Sequence, residues 1–120
     1  MWVFDAETFG FLEVNAAAVR IYGYSREEFL SKTIKDIAPR EDTPRLVAVV
    51  RNLPSSLNTG TWRHTRRDGG VLDVEVTTNR IAWDGRPAHL AVIRDLTQQL
   101  KVERALRESE GLMRQTGSST

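Results

Sequence analysis

Residues 11–30, Phe-Leu-Glu-Val-Asn-Ala-Ala-Ala-Val-Arg-Ile-Tyr-Gly-Tyr-Ser-Arg-Glu-Glu-Phe-Leu, decide how the rest of the chain is read. A short apolar strand runs into Asn15, whose side chain is suited to cap a helix opening at Ala16. That helix carries Val19 and Tyr22 about one turn apart and breaks at Gly23. A second helix starts at once, because Ser25 followed three residues later by Glu28 is capping-box spacing, with Phe29 and Leu30 behind it. Strand, capped helix, glycine break and capped helix are thus compressed into one short stretch.

Outward from this stretch, Trp2 to Asp5 and Gly10 to Val14 read as two strands joined through Ala6-Glu7-Thr8-Phe9. Lys32 to Pro39 is ambiguous, and Asp36 before Ile37 suggests one tight turn. Glu41-Asp42-Thr43-Pro44 supplies a cap residue and a first-turn proline for a helix carrying Leu46, Val47, Val49, Val50 and Leu53, which Pro54 ends. Ser55 to Gly60 reads as a polar connector. Beyond it Thr61 to Arg66 alternates, Arg67-Asp68-Gly69-Gly70 is a hairpin turn, and Val71 to Trp83 is a long strand. Asp84-Gly85 is a second turn, and Ala88 to Ile93 is the last strand. The pattern is α+β: a five-stranded antiparallel sheet with helices on one face.

From Gln98 onward Gln99, Val102, Leu106, Ser109 and Met113 alternate in spacings of three and four, an a/d seam among charged residues. Glu103 with Arg107 and Arg104 with Glu108 are one turn apart, each pair adding a few tenths of a kcal/mol. So narrow an apolar face predicts a helix that protrudes from the globule, solvated or paired with a second copy through Val102, Leu106 and Met113. The expected organisation is a core over 1–97, a linker helix over 98–116 and a disordered tail over 117–120. Met1 leads straight into strand sequence, so the start is expected to be a cut in a longer protein.

Composition bounds the function. A chain of 120 residues fits one domain and buries roughly two-thirds of its unfolded surface. Lys plus Arg at 17 against Asp plus Glu at 16 leaves a formal charge of +1, too balanced for a broad nucleic-acid or anionic-membrane surface. The basic run Arg63-His64-Thr65-Arg66-Arg67 is split between faces by strand alternation. No apolar run is long enough to span a membrane, and no signal-peptide pattern opens the chain. The absence of cysteine excludes disulfides, thiolate metal sites and cysteine nucleophiles, and it fits a cytoplasmic location. No Ser/His/Asp set, paired acid or metal-ligand cluster stands out, so no catalytic residue and no metal site is named. His64 and His89 lack acidic or histidine neighbours at ligand spacing and read as packed or solvent-facing strand residues.

Arg94-Asp95-Leu96-Thr97 lies where the last strand gives way to the charged helix. Read locally, Asp95 or Thr97 is a plain N-cap, or Asp95 pairs with a basic residue such as Arg66 or Arg67. In context, Asp-Leu-Thr is similar to the Asp-Ile-Thr signature that closes PAS domains, with Leu in place of Ile. Arg67-Asp68-Gly69 resembles the basic-Asp-Gly turn of that family, and Asn15 to Leu30 resembles its early segment. These matches fall in family order and span essentially residues 2–110.

The resemblance implies a sensory and dimerisation module of a larger signalling protein, such as a sensor histidine kinase or diguanylate cyclase. It implies a relay in which Asp95, Thr97 and Arg67 couple the sheet to the C-terminal helix and a covalently linked output domain, in a homodimer. It also implies a small-molecule cleft between sheet and helices, with Tyr22, Leu46, Val49, Trp62, His64 and Ile93 as candidate walls. Cysteine-linked chromophores are excluded by composition. Haem is disfavoured because the long helix, about Thr43 to Leu53, has no histidine, although His64 or His89 would remain as ligands from the sheet. Noncovalent flavin or a small metabolite stays open, and the identity of any ligand is unknown. Two rival readings remain: a ligand-free protein–protein interaction module, and a small α+β enzyme, which would need a buried acid or histidine facing its pocket.

Overall fold

The computed structural model describes residues 1–97 and 102–107. Trp2–Asp5 (β1) and Phe11–Val14 (β2) pair antiparallel, with Trp2 opposite Val14. Their connection is organised by Asp5, whose buried carboxylate accepts the amides of Glu7 at 2.8 Å and Thr8 at 3.0 Å. Those two bonds, Thr8's first, hold the Asp5 carboxyl below its ordinary pKa. Phe9 then takes a left-handed φ of 66°, offset by burial of its ring in the core.

The helical layer begins as its sequence signals predict. Asn15 accepts the Ala18 amide at 3.0 Å and opens α1 (Ala16–Tyr22). Gly23 ends it with a φ of 81°, and a Cβ there would meet the Cβ of Arg67 at 3.4 Å. Both halves of the Ser25/Glu28 capping box form at α2 (Arg26–Leu30). A 3₁₀ turn over Ile34–Asp36 carries a second capping box, from Thr33 and Asp36.

The third helix departs from expectation. Asp42 makes no side-chain cap bond at α3 (Thr43–Arg51), because the 3₁₀ turn Arg40–Asp42 runs directly into it and leaves Asp42 in helical geometry. Its carboxylate lies 3.4 Å from Arg63 instead.

The remaining strands are β3 (Asn58–Thr65), β4 (Val71–Trp83) and β5 (Arg86–Asp95), and the five-stranded sheet has the order β2-β1-β5-β4-β3. β3 starts earlier than the sequence suggested: Asn58, Thr59 and Gly60 find ladder partners in Thr78, Thr77 and Val76 of the long β4, whatever their own propensity. β5 is likewise longer at both ends, because β4 offers it partners from Trp83 to Val74.

Register gives the sheet its inner face. Trp2 and Phe4 of β1 lie opposite Ala91 and His89, Thr78 lies opposite Ala91 and Asn58, and His64 lies opposite Leu72. The core packs the Trp2 and Phe4 side against Tyr22, Phe29, Ile37, Leu46 and Val50 from the helical layer. Residues 102–107 are helical, with Val102 and Leu106 57% and 58% exposed. The expected seam residue Met113 lies outside the described residues, as do 98–101.

Candidate functional site

A cavity of about 50 Å³ lies between α3 and the edge-strand side of the sheet. Its floor comes from alternate inward residues of β3 and β4, Asn58, Gly60, Trp62, His64, Val76 and Thr78. Its roof is Leu46, Val49, Val50 and Leu53 of α3 and the segment after it, and Trp2, Phe4 and Ile34 close the inner end. Gly60 is needed for this shape: a Cβ there would stand 3.3 Å from the Trp62 indole nitrogen. The Arg45 guanidinium lies over the Trp62 ring, 4.0 Å from its centroid, and donates to the Thr61 carbonyl at 3.1 Å. Together with Arg63 on Asp42 and Glu41, this contact ties α3 to β3 along the cavity's outer side.

His64 is the one ionisable residue in the lining. It is 6% exposed and shares a 2.7 Å hydrogen bond between its Nδ1 and the Tyr22 hydroxyl. The Trp2 ring stacks on it with centroids 5.6 Å apart. Burial lowers the His64 pKa to about 4, so the imidazole is neutral at physiological pH. Burial, and after it the charge of Asp95, raise the Tyr22 phenol far above its ordinary range. The pair is therefore neutral, and its single bond leaves Nε2 as the second polar atom of the ring.

Of the residues expected to wall a cleft, Leu46, Val49, Trp62 and His64 meet at the cavity. Tyr22 stands behind His64 as its hydrogen-bond partner, and Ile93 packs against the core opposite Val76 without lining the space. Asn58, Gly60, Val76 and Thr78 were missed, although counting alternate residues back from the Arg67–Gly70 turn brings all four to the same face.

Asp95 does not pair with Arg66 or Arg67. Its Oδ1 accepts the Thr97 amide at 2.8 Å, an ordinary turn contact at the strand end. Arg67 reaches Glu28 at 2.8 Å, drawn there by the Arg67 amide's bond to the Tyr22 carbonyl, and Arg66 faces Asp68 at 3.9 Å. Thr97 binds the sheet through its hydroxyl, which accepts the Asp73 amide at 3.1 Å, while the Leu96 amide donates to the Asp73 carbonyl at 2.7 Å.

His89 is buried elsewhere, against Phe4 with ring centroids 5.3 Å apart, and its pKa is lowered by burial first and the facing Arg80 second. Among the described residues no group of three or more His, Cys, Asp or Glu is placed to hold a metal, and no helix is long and apolar enough to cross a membrane.

Comparison with known proteins agrees with this geometry. A family model described as PAS domain matches residues 1–98. The crystal structure of the PAS domain of an HTR-like protein from Haloarcula marismortui is 26% identical, covers 78% of each chain and superposes with a TM-score of 0.70. A domain of a sensory box sensor histidine kinase/response regulator from Geobacter sulfurreducens is also 26% identical, covering 75% of this chain and 78% of that one with a TM-score of 0.62. The N-terminal domain of a diguanylate cyclase with PAS/PAC sensor from Marinobacter aquaeolei shares the fold at 17% identity, covering 82% and 94% of the two chains with a TM-score of 0.61. No curated protein sequence matches the chain.

Proposed function

The chain belongs to the PAS domain family, a family of sensory modules that are not catalytic by themselves, and from that premise we propose that it relays occupancy of the α3–sheet cavity to a linked output domain through the segment after β5. The output domain we favour is that of a histidine kinase or diguanylate cyclase, acting in the cytoplasm as a homodimer. The exposed Val102 and Leu106, one turn apart, support the dimer as its seam.

One observation carries the relay. Asp73 of β4 grips the exit of β5 through both its backbone groups, to Leu96 and Thr97, while the Asp95 carboxylate accepts the Thr97 amide. From the cavity the route runs through His64 to Tyr22, whose phenol feels the Asp95 charge. A ligand biases such an element only by its difference in affinity for two arrangements, typically worth 1–3 kcal/mol.

Asp95→Ala frees the Thr97 amide without disturbing a buried contact. In a fusion to a histidine kinase output domain we expect this variant to lose regulation while its unfolding midpoint stays within a few degrees of the parent's. Regulation unchanged by the substitution rejects the relay.

A further inference from the structure

Resting on the reading of the cavity as a sensory site, we infer that its ligand is a small uncharged molecule with an apolar body and one hydrogen-bonding group, in the class of a short-chain alcohol or amide.

Size sets the first limit. The cavity, about 50 Å³, is several-fold smaller than the sites that take drug-sized ligands, so the guest is a small molecule. Sites for drug-sized ligands run to several hundred Å³.

Charge sets the second. No Lys, Arg, Asp or Glu lines the space. The Arg45 guanidinium, on the outer side of the cavity, is committed to the Trp62 ring and the Thr61 carbonyl. A carboxylate or ammonium entering would lose its water without gaining a counter-ion, which makes a charged ligand strongly disfavoured.

Polarity sets the third. The Thr78 hydroxyl is used on the Asn58 carbonyl at 3.4 Å. Among the described residues no protein group bonds His64 Nε2 or the Asn58 carboxamide, and both residues line the cavity. If Tyr22 donates to Nδ1, Nε2 carries the proton and donates; in the opposite tautomer it accepts. An alcohol or amide satisfies either state, because both groups donate and accept. The remaining wall, from Leu46, Val49, Val50 and Val76, suits a short alkyl chain.

The test is an amide and indole NMR titration of the 120-residue chain at pH 7 with 1-propanol and, separately, with propionate, which differ in charge but little in size. We expect saturable shifts for propanol at the Trp62 indole N–H and the His64 and Val76 amides, and none for propionate. The best ligands of this size reach dissociation constants on the order of tens of micromolar, and millimolar values are ordinary. His64→Phe keeps an aromatic ring, slightly larger, and removes both ring nitrogens, and is expected to weaken propanol about five- to tenfold. The alcohol–carboxylate comparison needs no variant, so it stands even where His64→Phe fails to fold. Propionate binding as tightly as propanol, or no saturable shift with either, overturns the inference. Neither result touches the relay, which the Asp95→Ala fusion tests separately; a failed relay would in turn leave saturable propanol binding in place.

Discussion

The two ends of the helical layer are built on different terms. Beneath α1 and α2 the space is filled by interlocked rings: Trp2 meets Phe11 at 5.1 Å and Tyr22 at 5.2 Å, and Phe11 meets Phe29 edge-on at 5.2 Å. Both helices there have side-chain caps, and the backbone is stitched across at Phe11 to Lys32 and Arg67 to Tyr22. At α3 an aliphatic roof faces a mixed floor that includes Trp62, His64, Asn58 and Thr78, the helix has no side-chain cap, and exposed cations tie it to β3. Rings packed edge to face leave no room for a guest, whereas the aliphatic face of a loosely tied helix standing off the sheet does. One end holds the fold; the other can respond to what enters it.

Truncation separates the two ends most sharply. Phe29→Ala at the ring cluster is expected to cost about 3–5 kcal/mol in urea unfolding. Val49→Ala, a half-buried wall of the cavity, is expected to cost about 1 kcal/mol or less. Equal losses would erase the distinction between a filled and a yielding end.

Acid probes the junction between them. The His64 pKa is lowered to about 4 in the fold, so in the window below the ordinary histidine value the unfolded chain takes up a proton that the folded one refuses. Stability from this group is therefore fully present at neutral pH and drains away as pH falls from about 6.5 toward 4, by about 3 kcal/mol in all. Urea midpoints across that range should show the slope, and His64→Gln should flatten it. A parent protein equally stable at both limits would mean that the imidazole is not held neutral.

The smallest effect concerns the caps. Ser25→Ala removes the hydroxyl that accepts the Glu28 amide, leaving the residue-25 amide on the Glu28 carboxylate, and should cost about 1 kcal/mol. Asp42→Ala at α3 removes only an ion pair to a half-exposed Arg63 and should cost a few tenths. A reversal of that order, read by thermal unfolding, would show α3 to be the better-anchored helix.

Local chemistry made much of the fold legible. Asn15, Gly23 and the Ser25/Glu28 pair act on neighbours within a few residues, so their roles were readable before any packing was known. The same kind of signal misled at Asp42, where the preceding 3₁₀ turn had already put the residue in helical geometry. Arg67 lies in its turn as read, but its ion pair is with Glu28 and not with Asp95, which was its partner in one of two local readings. The choice between Asp95 and Glu28 depends on how α2 docks against the β3–β4 hairpin. The cavity was half legible: residue type suggested His64 and Trp62, while Asn58 and Thr78 join them only through strand register.

From its own residues the chain determined where helices start, where strands turn, and that no cysteine chemistry is open to it. These depend on backbone propensity, capping and composition, all of which act at short range. Tertiary structure alone decided that β3 reaches back to Asn58, that Tyr22 bonds His64, and that α3 covers a space instead of filling it. Each depends on which distant side chains share a face once the strands have paired, and pairing between remote segments is not written in any one of them.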